Sequence, residues 1–103
     1  TDWTSMVELY DALLRMQPSP VVALNRSVAL AMRDGPEAGL AAVDAILASG
    51  ELADYHLAHA TRADFCRRLG RNGEARAAYE RALALTRLEP EQRFLEQRLR
   101  ELD

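Results

Sequence analysis

No lysine occurs in this sequence, and all thirteen basic side chains are arginines, a bias without consequence for the fold. Cysteine is almost absent: Cys66 stands alone, which excludes an internal disulfide and points to a reducing, cytosolic setting. No run of eighteen apolar residues is present, so a membrane-spanning helix is excluded. Thr1-Asp2-Trp3 carries neither a basic region nor an apolar signal stretch, and the missing initiator methionine suggests a piece of a longer protein. Aromatic residues are scarce, at 6%, and β-branched ones are few, which disfavours sheets. With a formal charge of −3 and no basic cluster clear of interleaved acids, a nucleic-acid face is not expected. What remains plentiful is alanine and leucine, in a chain of 103 residues that suits one helical domain.

Periodicity places six helices. Trp3, Met6, Val7, Tyr10, Leu13 and Leu14 recur at three- and four-residue steps and predict a first helix from about Trp3 to Gln17, with one buried stripe. Pro18-Ser19-Pro20 stops it, Ser19 being suited to cap a second helix and Pro20 to open it. That helix, Pro20 to Arg33, is apolar over most of its circumference and reads as central. Asp34-Gly35-Pro36 breaks it, with Gly35 able to take positive φ and Pro36 able to open the third helix, which runs to about Ser49 with Leu40, Val43, Ile46 and Leu47 inward. Residues 50–54 make the longest connection. A fourth helix spans Tyr55 to Gly70 with Leu57, Ala60, Ala63, Cys66 and Leu69 on one side. A fifth, from about Asn72 as N-cap to Thr86, buries Ala75, Ala78, Tyr79, Ala82 and Leu85. Pro90 opens a sixth, polar apart from Phe94, Leu95, Leu99 and Leu102. The connections are short, so consecutive helices lie antiparallel in three hairpins.

A weak repeat links the middle of the chain. Glu37-Ala38 precedes Ala45-Ile46 as Glu74-Ala75 precedes Ala82-Leu83, thirty-seven residues on, whereas Gly35 and Gly70 lie thirty-five apart. A period near ~34 is the signature of the tetratricopeptide (TPR) helix pair. Small residues at Ala38, Ala45, Ala75 and Ala82 let the second helix of each pair approach its neighbours closely. The stretch RLGRNGEARAAYERALAL, Arg68 to Leu85, resembles the second half of a TPR; Val28, Ala63 and Cys66 depart from the motif. The expected architecture is therefore all-α, a TPR-like right-handed stack of three hairpins forming a single domain over 1–103.

Catalytic and metal chemistry find little to build on. His56 and His59 are three apart on one helix with Cys66 two turns on, but a closely spaced third ligand is missing and ordinary helix residues are the simpler reading. Ser27 and Cys66 sit in no nucleophile elbow, and Cys66 falls in a core stripe. The carboxylate pairs Glu8/Asp11 and Glu89/Glu91 lie on polar faces or caps. Neither an enzyme nor a cofactor is expected. Arg26, on a helix otherwise nearly all apolar, needs acceptors and is suited to tie helices together; Arg62 and Asp64 pose the same question and favour a structural ion pair.

Three strings carry a more specific likeness: LYDALLRMQPSPVVALNRSVALAMRDGPEAGL from Leu9 to Leu40, YHLAHATRADFCRRLGR from Tyr55 to Arg71, and FLEQRL from Phe94 to Leu99. Through them the chain, from Trp3 to Leu102, resembles the C-terminal TPR-like extension of bacterial extracytoplasmic-function RNA polymerase sigma factors. The resemblance implies a regulatory or assembly segment that contacts the sigma domains of its own polypeptide or the RNA polymerase core, with DNA read only by upstream domains. It marks Asn25, Arg26 and the Asp34-Gly35-Pro36 turn as signature positions. His59 and Arg62, on the first helix of the second pair, complete the candidate protein-binding set, since the first helix of each pair lines the concave side of such a stack. A cytoplasmic monomer is the leading expectation. The rivals are a stand-alone scaffold or a homodimer burying Trp3 and Tyr10, and a small-ligand sensor.

Overall fold

The computed structural model describes residues 1–102, which form six α-helices and no strand: α1 Trp3–Met16, α2 Pro20–Asp34, α3 Pro36–Ala48, α4 His56–Arg68, α5 Asn72–Leu85 and α6 Glu89–Glu101. The fold is all-α and built of helical hairpins, as the periodicity predicts. None of these helices is long and apolar enough to cross a membrane.

Local chemistry sets most of the boundaries. Asp2 caps α1, its Oδ1 accepting from the Ser5 amide at 3.1 Å and its Oδ2 from the Ser5 hydroxyl at 2.7 Å. These bonds to the ionised form, the hydroxyl's first, hold the Asp2 carboxyl below the usual carboxylate range. Ser19 caps α2 through a 3.3 Å bond from the Val22 amide, and Pro20 follows at the first helical position, as expected. Gly35 alone separates α2 from α3. It stands at φ 102° and ψ 165°, a combination open only to glycine, while its amide donates to Ala31 O at 2.8 Å. Gly70, at φ 75°, closes α4 in a Schellman arrangement: its own amide donates to Arg67 O at 3.0 Å and that of Arg71 to Cys66 O at 2.8 Å. One cap differs from expectation. Asn72 is the first helical residue of α5 and Arg71 takes the cap position without a side-chain bond, because the Schellman turn already fixes the chain up to Arg71. α6 likewise begins one residue before Pro90, at Glu89.

The chain divides into two compact units, Thr1–Leu52 and Ala53–Asp103. In the first, α2 packs against both α1 and α3. Its core is Val7, Leu24, Ala29, Ala31, Leu40 and Val43, joined by buried Ser27, whose hydroxyl donates to Leu24 O at 2.5 Å and so needs no other partner. The α1 stripe is narrower than predicted. Only Val7 is fully buried; Trp3, Met6, Tyr10 and Leu14 are half-buried and Leu13 is exposed.

In the second unit α5 packs against α4 and α6, most extensively against α4. Ala75, Ala78, Tyr79 and Ala82 are buried, as predicted, and the three alanines permit the close approach while Tyr79 supplies the volume. α4 contributes Ala58, Ala63, Phe65 and Cys66. Its inner face therefore differs from the predicted one: Leu57 is exposed and Phe65, outside the expected stripe, is core. α6 buries Leu95 alone among its apolar residues, with Phe94 exposed beneath the Arg98 guanidinium at 5.0 Å.

The two copies of the repeat are not in the predicted register. α2 and α4 begin thirty-six residues apart, and so do α3 and α5. At that spacing buried Gly39 and Val43 match buried Ala75 and Tyr79. The Glu-Ala spacing of thirty-seven would instead align Ala45, which is exposed, with fully buried Ala82. One residue turns a helix face by ~100°, so burial and not the dipeptide defines the repeat.

Candidate protein-interaction face

On α2 the side chains of Val21, Asn25, Val28 and Met32 follow one another at steps of four, three and four, and all four are exposed. At 3.6 residues per turn they fall within a ~60° arc of the helix. Val21 is 44%, Val28 42% and Met32 48% accessible, so three large apolar groups line a wet face. α1 carries a second stripe of the same kind, Leu9, Leu13 and Met16, at steps of four and three. Sequence reasoning missed both. An α2 that is apolar all round reads as a core helix, and only Asn25, a polar residue in the same arc as the valines, signals where water is.

The expected site residues of this unit do not converge. Asn25 lies in the exposed stripe; Arg26, about 100° round the helix, turns toward α1 and places its Nε 2.6 Å from Asp11 Oδ1. About one-third of each side chain is exposed in this pair, which ties the first helix to the second as the structural reading of Arg26 anticipates. Asp34 lies nine residues beyond Asn25, so the two point to opposite sides of α2, about 13 Å apart along the axis. Its carboxylate is held by the neighbouring Arg33, Nε to Oδ1 at 3.1 Å and Nη2 to Oδ2 at 2.9 Å, and the first effect of these bonds is to keep the Asp34 carboxyl below the usual range. Gly35 and Pro36 make the turn itself, half-buried.

His59 and Arg62 belong to the second unit. His59 Nε2 bonds Ala53 O at 2.7 Å, pinning the connection before α4. Arg62 reaches across to Glu74 Oε2 on α5 at 3.1 Å. Asp64 binds Arg67 Nη2 at 2.5 Å, so Arg62 and Asp64 both form ion pairs but with different partners. That bond is the main reason the Arg67 guanidinium is held more firmly protonated, and Tyr79 beside it adds to the effect. The Tyr79 hydroxyl is itself pushed up by burial, an effect the adjacent Arg67 opposes.

A small pocket of about 100 Å³ opens between α4 and α6, walled by Leu57, Ala60, Phe94 and Leu95. At its edge His56 Nε2 lies 2.6 Å from Glu91 Oε2, and that oxygen accepts from the Thr86 hydroxyl at 2.8 Å. No group of three or more metal-ligating side chains occurs among the described residues.

No family model matches the chain, and no solved structure matches it. It is similar to an uncharacterized protein of Rhizobium meliloti (strain 1021), with 51% identity over 86 residues, 82% of this chain. The matched stretch spans about a fifth of that relative, 20% of its length.

Proposed function

We propose that the chain is a regulatory protein-interaction segment of an extracytoplasmic-function sigma factor, working in the cytoplasm by contact and not by catalysis. It controls sigma activity in transcription initiation by holding or releasing the sigma domains, or by touching the RNA polymerase core. Three strings of resemblance, from Leu9 to Leu40, Tyr55 to Arg71 and Phe94 to Leu99, support the sigma-factor assignment. The observation that carries the interaction reading is the exposed stripe Val21, Asn25, Val28 and Met32 on α2: a small helical unit that leaves three large apolar groups in water has a partner to cover them. The relative is consistent with this, since the similar stretch occupies a minor part of a much longer polypeptide.

The test is transcription by the full-length sigma factor with RNA polymerase, comparing intact protein, a deletion of this segment, Val28→Asp, and the pair Arg26→Ala with Asp34→Ala. Val28 is 42% exposed and Arg26→Ala removes a tie between helices, so both variants carry a folding control. Deletion and Val28→Asp are expected to change promoter output in the same direction, and the sign says whether the segment activates or restrains. Unchanged output in all variants would exclude the regulatory role.

A further inference from the structure

We infer that the outer face of α2 is a coiled-coil-type seat for a single amphipathic helix carried by the same parent polypeptide. The inference rests on the reading just given, that the chain is one segment of a larger sigma factor, and it names what that segment holds.

The steps of four, three and four from Val21 through Asn25 and Val28 to Met32 reproduce the alternation of d and a positions in two consecutive heptads. Valines then occupy the two d positions, Asn25 and Met32 the two a positions. A helix laid on this seam inserts its own apolar residues between these side chains at the matching spacing. Asn25 imposes a further requirement. Its exposed amide becomes buried when the seam is covered, and an uncompensated amide is costly, so the incoming helix presents a hydrogen-bonding side chain opposite it. In a free coiled coil the flanking e and g positions carry charges that choose partner and direction. Here those positions are Val22, Leu24, Ala29 and Ala31, all buried or half-buried within the unit. Register is left to Asn25 alone.

Size decides between a tethered occupant and a separate molecule. Stable interfaces between separate proteins use roughly 20–30 residues and about 800 Å² on each side. The seam offers four residues, and its three apolar side chains are each less than half exposed. Adding Leu9, Leu13 and Met16 of α1 does not close that gap. A contact this small is populated when linkage supplies an effective concentration in the millimolar range. In the Rhizobium relative the matched stretch is 20% of the length, and the remainder of that polypeptide is ample to provide such a helix.

The experiment is hydrogen exchange with mass spectrometry on the full-length polypeptide, with its molecular mass followed by light scattering. Val28→Asp is expected to raise exchange at least tenfold in one helical segment outside residues 1–103, in a monomer, while the amides of α1 to α3 stay as protected as before. Asn25→Leu is expected to act with the same sign, raising exchange in that same segment, because it leaves the opposing hydrogen-bonding side chain buried without a partner. A dimer that dissociates on Val28→Asp would overturn the proposal in favour of a second copy. Exchange outside the chain that ignores both substitutions would overturn it outright. Should exchange respond while transcription does not, the regulatory role fails and the seat stands; should deletion change transcription while exchange stays flat, the seat fails and the regulatory role stands.

Discussion

The first unit leaves six large apolar side chains exposed, the second only three, Leu57, Leu88 and Phe94. Around α5, buried Tyr79 is surrounded by small alanines, and α4 adds Phe65 and Cys66. In the first unit the core is lighter, with Val7, Leu24, Leu40 and Val43 as its larger members, while Leu9, Leu13, Met16, Val21, Val28 and Met32 face outward. The stretch from Arg68 to Leu85, which resembles a TPR closely, is thus the one whose motif positions are consumed by packing. The half with the poorer motif keeps apolar surface to offer. The strong repeat signature goes with a packed interior here, and its erosion goes with the exposed apolar face proposed for binding.

The sharpest way to break this contrast is truncation of each core. Tyr79→Ala removes the largest fully buried side chain and is expected to cost ~3–5 kcal/mol, against about 2 kcal/mol for Val43→Ala, measured by urea unfolding. A larger loss at Val43 would mean that the first unit, not the second, holds the main core. The turns offer the next test. Neither Gly35 nor Gly70 has a neighbour within 4 Å of where a Cβ would sit, so alanine there meets conformational strain alone. Gly35→Ala is expected to cost ~1–3 kcal/mol because its dihedrals suit only glycine, and Gly70→Ala nearer ~1 kcal/mol because the left-handed region tolerates other residues. Equal losses would remove that distinction between the two turns.

Helix capping separates the units on a smaller scale. Ser19→Ala should destabilise by ~1 kcal/mol, while Arg71→Ser should add a fraction of that by supplying the bond that α5 lacks. The Arg26–Asp11 pair, part-exposed on both sides, is expected to show a coupling of only ~0.2–1 kcal/mol in a double-mutant cycle and to weaken with salt. The smallest effect is one of pH. Burial raises the Tyr79 pKa above its unfolded value, so its contribution is complete below the ordinary tyrosine pKa of about 10 and fades as pH rises through the folded value. Tyr79→Phe should flatten that alkaline arm of the stability profile, and an unchanged arm would show that other groups produce it.

Most of the helix plan was legible because its signals are local. Ser19-Pro20, Gly35-Pro36 and Gly70 act within one or two residues of where they sit, and each stops or starts a helix where the sequence places it. Faces were less legible. Leu57 and Phe65 lie eight residues apart on α4 and satisfy helical spacing equally well with different neighbours, so periodicity could not choose which of them is core. The candidate residues fared in the same way. Arg26 was rightly suspected of tying helices, but that Asn25 and Asp34 point to opposite sides of α2, and that Val21, Val28 and Met32 share the arc of Asn25, follows only once the face is known.

The sequence by itself determined the number of helices, their order and nearly all their ends, because capping and glycine dihedrals are properties of adjacent residues. Tertiary structure alone decided which apolar residues are covered. A helix apolar over most of its circumference, such as α2, is compatible with several packings, and the side left in water is whichever one its neighbours α1 and α3 do not reach.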